Sequence, residues 1–164
     1  MKYSRFEELP VWRDAIAVAV KTYALTSQSC FKRQFNLRNQ IERAAVSVSN
    51  NIAEGFERGT TQELLTFLYI ARGSAGEVRS MLCLFERLPL LLDLKSEISN
   101  LKSEVEKVSR QLRGWADSLQ NSSVKGQRYL NDKTRRIEKQ AKEREEFLEE
   151  LRRIREGEIS DSRN

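Results

Sequence analysis

Histidine is absent from the 164-residue chain. That excludes a Ser-His-Asp or Cys-His nucleophile, a His-ligated metal and imidazole acid–base chemistry. Cysteine occurs twice, as Cys30 and Cys83, too few for a zinc site and without other signs of an oxidising compartment, so two free thiols are expected rather than a disulfide. Proline also occurs twice and glycine seven times, which withholds the turn residues that a sandwich or barrel of short strands requires. No apolar run approaches the roughly 18 residues of a membrane span. Met1-Lys2-Tyr3-Ser4-Arg5 leads into acidic residues rather than into a signal-peptide core. The expectation is an all-helical, cytoplasmic protein with no membrane association, no cofactor and no metal.

What is present is charge. Charged residues make up 32% of the chain and hydrophobic residues 39%, with 29 Lys+Arg against 24 Asp+Glu for a net charge of +5. Such a balance permits association with nucleic acid without demanding it, because the acids are nearly as numerous.

Apolar spacing resolves the chain into helices. Leu9-Pro10 opens the first, with proline in the first turn where its missing N–H costs nothing. Trp12, Ile16, Ala19 and Tyr23 line one face, and Val11, Ala15, Val18 and Leu25 a second stripe beside it. The run Ala15 to Val20 is apolar at every position, which predicts burial on two sides. Residues 27–34 read as a loop. Asn36 is the expected N-cap of the second helix, whose core stripe is Leu37, Ile41, Ala44, Ala45, Val48, Ile52 and Phe56. A separate small and polar stripe of Ser47, Asn51 and Gly55 predicts a close, hydrogen-bonded helix seam, with Gly55 and Gly59 bracketing the helix end.

Thr60 with Glu63 forms a capping box before the third helix. Leu64 to Ala71 is apolar around most of the circumference, and Ala75, Val78, Leu82 and Phe85 continue it. Gly73 and Gly76 fall mid-helix, each at a cost of about 1 kcal/mol relative to alanine, and are expected where another helix comes close. Pro89 interrupts the pattern and Asp93 is the expected cap of the fourth helix. Its seam of Leu94, Ile98, Leu101, Val105, Val108, Leu112, Trp115 and Leu119 alternates four- and three-residue steps. Short connections between these helices predict an all-α, antiparallel up-down four-helix bundle over residues 1–120. Residues 121–126 read as a linker. Residues 127–164 read as a charged helical extension, frayed over its last eight residues. Leu130, Ile137, Ala141, Leu148 and Leu151 make only a broken stripe there, interrupted by Arg144. Glu138–Lys142 and Glu149–Arg153 are favourable i,i+4 pairs. The extension is expected to be a solvated helix, or a weak coiled coil if chains assemble.

Four segments together resemble a known family: Phe6-x-x-Leu-Pro-Val-Trp-Arg-x-Ala, Leu37-x-x-Gln-Ile-x-Arg-Ala-Ala-x-Ser, Asn50-Asn-Ile-Ala-Glu-Gly-Phe and Phe67-Leu-x-Ile-Ala-x-Gly-Ser. They are similar to the four-helix-bundle proteins encoded in intervening sequences of bacterial large-subunit ribosomal RNA. A more distant similarity is to accessory proteins of diversity-generating retroelements. The resemblance spans residues 6–119. It departs at Val48-Ser49 and Ala75-Gly76, both packing positions. It implies a ring-like homopentamer, no established enzyme activity and, for the retroelement relatives, a basic surface that engages a reverse transcriptase and nucleic acid.

Two constellations invite a chemical reading. Glu54 with Glu57 or Glu77 could be paired carboxylates, but ion pairs with arginines such as Arg43 or Arg58 are the preferred reading. Ser47, Asn51 and Ser74 could line a pocket, but a hydrogen-bonded seam is preferred. Gly73-Ser74-Ala75-Gly76 lacks the Lys-Ser/Thr ending of a phosphate loop. The candidate nucleic-acid contacts are Lys32, Arg33, Arg38 and Arg43, with Arg72 and Arg79 one heptad apart. Ser47, Asn51, Glu54, Gly55, Gly73 and Ser74 are taken as a structural motif. Aromatic residues fall mostly in apolar stripes, so neither a stacking platform nor a base-reading motif is expected. The reading is a non-enzymatic oligomeric adaptor for RNA or an RNA-handling protein such as a reverse transcriptase. The alternative is a protein-interaction scaffold without a nucleic-acid role.

Overall fold

The computed structural model describes residues 3–122 and 132–155, and among them it contains five α-helices and no strand. The chain divides into two units, Met1–Arg128 and Tyr129–Asn164. The first unit holds α1 (Pro10–Thr26), α2 (Phe35–Glu57), α3 (Thr61–Phe85) and α4 (Lys95–Gln120), and the second holds α5 (Asp132–Arg155).

The four helices of the first unit share one hydrophobic core. α1 packs on α2 and α4, and α3 packs on the same two helices, so α1 and α3 occupy opposite corners. Polar pairs mark the order of contact. Asp14 and Lys21 of α1, and Gln28 just past its end, meet Gln111, Glu104 and Glu97 of α4 in turn. Along α2, Gln40 and Ser47 meet Glu77 and Ser74 of α3. At the α3–α4 contact, Tyr69 meets Gln120 and Glu86 meets Lys102. In each case numbers rise along one helix as they fall along the other.

Several helix limits differ from the sequence reading, and burial explains each. The 27–34 segment is not wholly irregular: Ser29–Phe31 forms a 3-10 turn that buries Phe31. Three residues separate this turn from α2, which starts at Phe35 with Gln34 at the cap, so Asn36 is already helical. Asp93 does not cap α4. It lies in a 3-10 turn, Pro89–Leu94, and Leu94 occupies the cap without a side-chain bond. Three residues per turn place Leu91 and Leu94 on one side, and both are buried. The α4 seam is buried from Ile98 to Leu112, but Ala116 is buried next while Trp115 and Leu119 are only half-buried. A straight helix drifts about 20° per heptad from a 3.5-residue repeat, and the buried stripe follows that drift.

The local signal at α3 is realised as read: the Glu63 backbone N–H donates to the Thr60 hydroxyl at 3.2 Å, and that hydroxyl donates to the Glu63 carboxylate at 2.8 Å. α1 is not buried on two sides within the chain. Ala15, Val18 and Leu25 are buried, whereas Ile16, Val20 and Tyr23 are exposed. On α3, Tyr69 and Ile70 are exposed in the same way. A helix with two neighbours has only part of its circumference to bury, and the rest of these apolar belts faces out.

In the second unit, α5 exposes Phe147, Leu148 and Leu151, and Glu149 lies 3.8 Å from Arg153. Residues 123–126 of the linker, Leu130, the side chains of Ile137, Glu138 and Lys142, and the last eight residues lie outside the described residues.

Asp14 ties α1 to α4. Its carboxylate accepts from Lys107 at 2.9 Å and from Gln111 at 2.8 Å. The Lys107 bond holds the Asp14 carboxyl below the usual aspartate range, against an opposing effect of partial burial. A carboxyl depressed in the folded state stabilises above its unfolded pKa of about 3.9, and that contribution disappears as pH falls through the folded value. Asp14→Asn is therefore expected to lower stability at pH 7 by up to about 1 kcal/mol, the range of solvent-accessible pairs. The gap to the unsubstituted protein, followed by thermal denaturation, should close once the pH falls below the aspartate range. A gap that persisted there would show that the carboxylate charge is not its source.

Candidate nucleic-acid interface

The candidate cations belong to the α1–α2 turn, α2 and α3. Lys32 and Arg33 directly follow the 3-10 turn anchored by Phe31 and are exposed. Arg38 and Arg43 are exposed on α2, Arg72 is exposed on α3, and Arg79 is half-buried. Their electrostatic states differ. Arg38 donates to Glu42 at 2.8 Å, and Glu42 also accepts from the Thr26 hydroxyl, so Arg38 belongs to an α1–α2 link. Lys32, Arg33, Arg43, Arg72 and Arg79 meet no carboxylate among the described residues. Most other basic side chains of the first unit do: Arg5 with Glu7, Lys21 with Glu104, Lys102 with Glu86, Lys107 with Asp14 and Arg110 with Glu106.

The polar motif lies along the α2–α3 contact. The Ser47 and Ser74 hydroxyls are 3.0 Å apart, and the Asn51 amide donates to the Ser47 carbonyl at 2.7 Å and to its hydroxyl at 3.0 Å. A Cβ built on Gly55 would lie 2.6 Å from the Phe67 Cβ, so α3 crosses against this glycine. Gly73 behaves differently from the sequence expectation: a Cβ there, or at Gly76, meets nothing within 4 Å. Both glycines lie on exposed α3 surface and not under another helix of the chain.

Glu54 and Glu77 do not converge. Glu54 accepts from Arg58 at 2.6 Å. Glu77 accepts from Gln40, not from an arginine, at 3.3 Å. Fourteen residues of α2 separate Gln40 from Glu54, roughly 21 Å of helix rise. Among the described residues, no group of three or more Cys, Asp and Glu is placed to hold a metal, and Cys30 and Cys83 are free thiols. No helix of the described residues is long and apolar enough to cross a membrane.

Two features escaped the sequence reading. A groove of 480 Å³ is lined by Asn36, Asn39, Gln40, Arg43, Ala44, Ser47 and Glu77, bringing Arg43 and Ser47 together with three side-chain amides. In addition, not every aromatic ring lies in an apolar stripe: Phe35, the first residue of α2, is 71% exposed. The available signal was the run of Asn and Gln where a solvated helix face ordinarily carries Lys and Glu.

No curated protein matches the chain. The family model of the 23S rRNA-intervening sequence protein matches residues 7–114, the stretch that contains α1, α2, α3 and most of α4. The chain belongs to the 23S rRNA-intervening sequence protein family.

Proposed function

We propose that the protein is an oligomeric adaptor that binds RNA through a basic surface. The observation that carries this reading is that Lys32, Arg33, Arg43 and Arg72 of the α1–α2 turn, α2 and α3 are exposed and meet no carboxylate among the described residues. Arg13, Arg87 and Lys95 share that state, whereas eight basic residues of the unit are ion-paired. The family name, which ties relatives to intervening sequences of 23S rRNA, supports the same partner. Under this reading the first unit is an antiparallel up-down four-helix bundle, supported by the descending order of the cross-helix pairs. An RNA-handling protein such as a reverse transcriptase would meet the same basic surface.

Assembly multiplies the charge. α1 and α3 stand at opposite corners, and each presents exposed apolar residues: Ile16, Val20 and Tyr23 on one, Tyr69 and Ile70 on the other. Different patches on opposite sides favour a heterologous contact, which closes into a ring when the rotation allows. A pentamer, the state implied by the family resemblance, would carry about five times the net charge of +5. Many phosphate contacts then supply affinity that falls steeply with salt.

The test combines native mass with RNA binding by the full chain. A ring of identical chains is expected, and the substitutions Lys32→Gln and Arg33→Gln together should weaken binding to all RNA sequences alike. The slope of log affinity against log salt should flatten by roughly 0.7–0.9 for each phosphate no longer neutralised. Unchanged affinity and slope would favour the scaffold reading, with the exposed apolar residues of α5 as the docking element. A monomer would overturn the assembly.

A further inference from the structure

The exposed start of α2 departs from the chemistry of the α4 surface. α4 covers its outer face with Lys95, Glu97, Glu106, Lys107, Arg110 and Arg113. The start of α2 presents Phe35, Asn36, Asn39, Gln40 and Arg43, with Arg38 paired to Glu42 beside them. Asparagine is one of the poorer helix formers, and an exposed phenylalanine gains nothing from burial. Residues that break local rules without a packing gain point to a binding role.

Their arrangement is specific. Phe35 and Asn39 stand at i and i+4, neighbours on one face of the helix, and Phe35 is 71% exposed. Asn36, Asn39, Gln40 and Arg43 line the 480 Å³ groove, with Glu77 of α3 on its far side. Gln40 donates to Glu77 at 3.3 Å, which orients its amide and leaves its carbonyl oxygen to accept. The amides of Asn36 and Asn39 have no partner among the described residues. Glu77 disfavours a phosphate inside the groove, whereas the amino group of a base can donate to it.

We propose that this groove binds an unpaired purine of RNA, with the base stacked on Phe35 and its edge read by Asn39, Gln40 and Arg43. A primary amide offers a donor and an acceptor side by side, the pattern of an adenine edge, and an arginine fork matches guanine. Base pairing in an RNA duplex buries these edges in a deep, narrow groove, so the ligand is a loop, bulge or single strand. Lys32 and Arg33, immediately before α2, hold the flanking phosphates. The proposal rests on the RNA reading above and adds base discrimination to what charge alone supplies.

The experiment measures binding of the full chain to labelled oligoadenylate, oligouridylate and an RNA duplex, each about twenty nucleotides long, across a salt series. The expected result is about tenfold or stronger preference for oligoadenylate over the other two. Phe35→Ala and the double substitution Asn39→Ala/Gln40→Ala should each bring oligoadenylate down to the level of oligouridylate with the salt slope unchanged. Phe35→Tyr should keep the preference, since it retains the ring. Equal binding of all three RNAs by the unsubstituted protein would overturn base reading while leaving the electrostatic adaptor intact. A preference that survived both Phe35→Ala and the double substitution would overturn it as well. Failure to bind any of them would overturn both readings.

Discussion

Replacing Phe31 by alanine is expected to destabilise the protein by about 3–5 kcal/mol, the usual cost of deleting a fully buried aromatic side chain. Phe31 is 1% exposed although it sits in a three-residue turn between helices. Its ring centre lies 5.3 Å from that of Phe85, the last residue of α3, with the planes tilted by 58°. The side chain therefore pins the α1–α2 connection to the end of α3, and its loss leaves a cavity that rigid helix ends fill poorly. Total stability of a domain is only about 5–15 kcal/mol, so this single change removes a large share. The melting temperature, followed by helical circular dichroism, should fall by roughly 10–20 °C. Phe31→Leu should cost much less, because it keeps most of the volume and loses mainly the ring–ring attraction of about 0.5–1.5 kcal/mol. The same anchor fixes the backbone from which Lys32 and Arg33 project, so the leucine variant should retain RNA binding. An alanine variant within about 1 kcal/mol of the unsubstituted protein would show that the turn is not held by this side chain.

Where the sequence alone was a sufficient guide, the signal was local. The Thr60–Glu63 cap needs only residues three apart, and the stripes on α2 and α4 need only a helical period. Asn36 and Asp93 misled for one reason: each has good capping chemistry, but the nearby helix start was decided by burial of a neighbour. Phe31 pulls the chain into α2 before Asn36, and Leu91 with Leu94 winds the chain through Asp93. The apolar belts of α1 and α3 were legible as belts. Which side of each faces the core depends on the arrangement of all four helices, and no single helix encodes that. At the candidate site, charge was visible because Lys and Arg are conspicuous. The groove was not, because Asn and Gln on a helix read as ordinary solvated surface until Glu77 and the exposed Phe35 stand beside them.

The glycines make the same point and lead to the other large effect. Gly55, Gly73 and Gly76 carry equal weight as sequence signals, yet only Gly55 lies against a helix. A Cβ there would stand 2.6 Å from the Phe67 Cβ and 3.3 Å from the Leu64 Cδ1. The leucine methyl can rotate aside, but the Phe67 Cβ is joined directly to the α3 backbone, so relief requires the two helices to move apart. That movement would also stretch the 3.0 Å contact between Ser47 and Ser74 further along the same pair. Gly55→Leu is therefore expected to cost about 3 kcal/mol, at the upper end of the usual range for overpacking, and to lower the melting temperature by roughly 10 °C. Gly55→Ala should fall in the same direction despite the better helix propensity of alanine, because its Cβ already meets the obstacle. Gly73→Ala, at an open position in the chain, should instead raise the stability of the isolated subunit by roughly 0.5–1 kcal/mol through that propensity. The comparison of the two alanine variants is the sharper measurement. If Gly55→Ala stabilised the protein as Gly73→Ala does, the close crossing of α2 and α3 at Gly55 would be wrong.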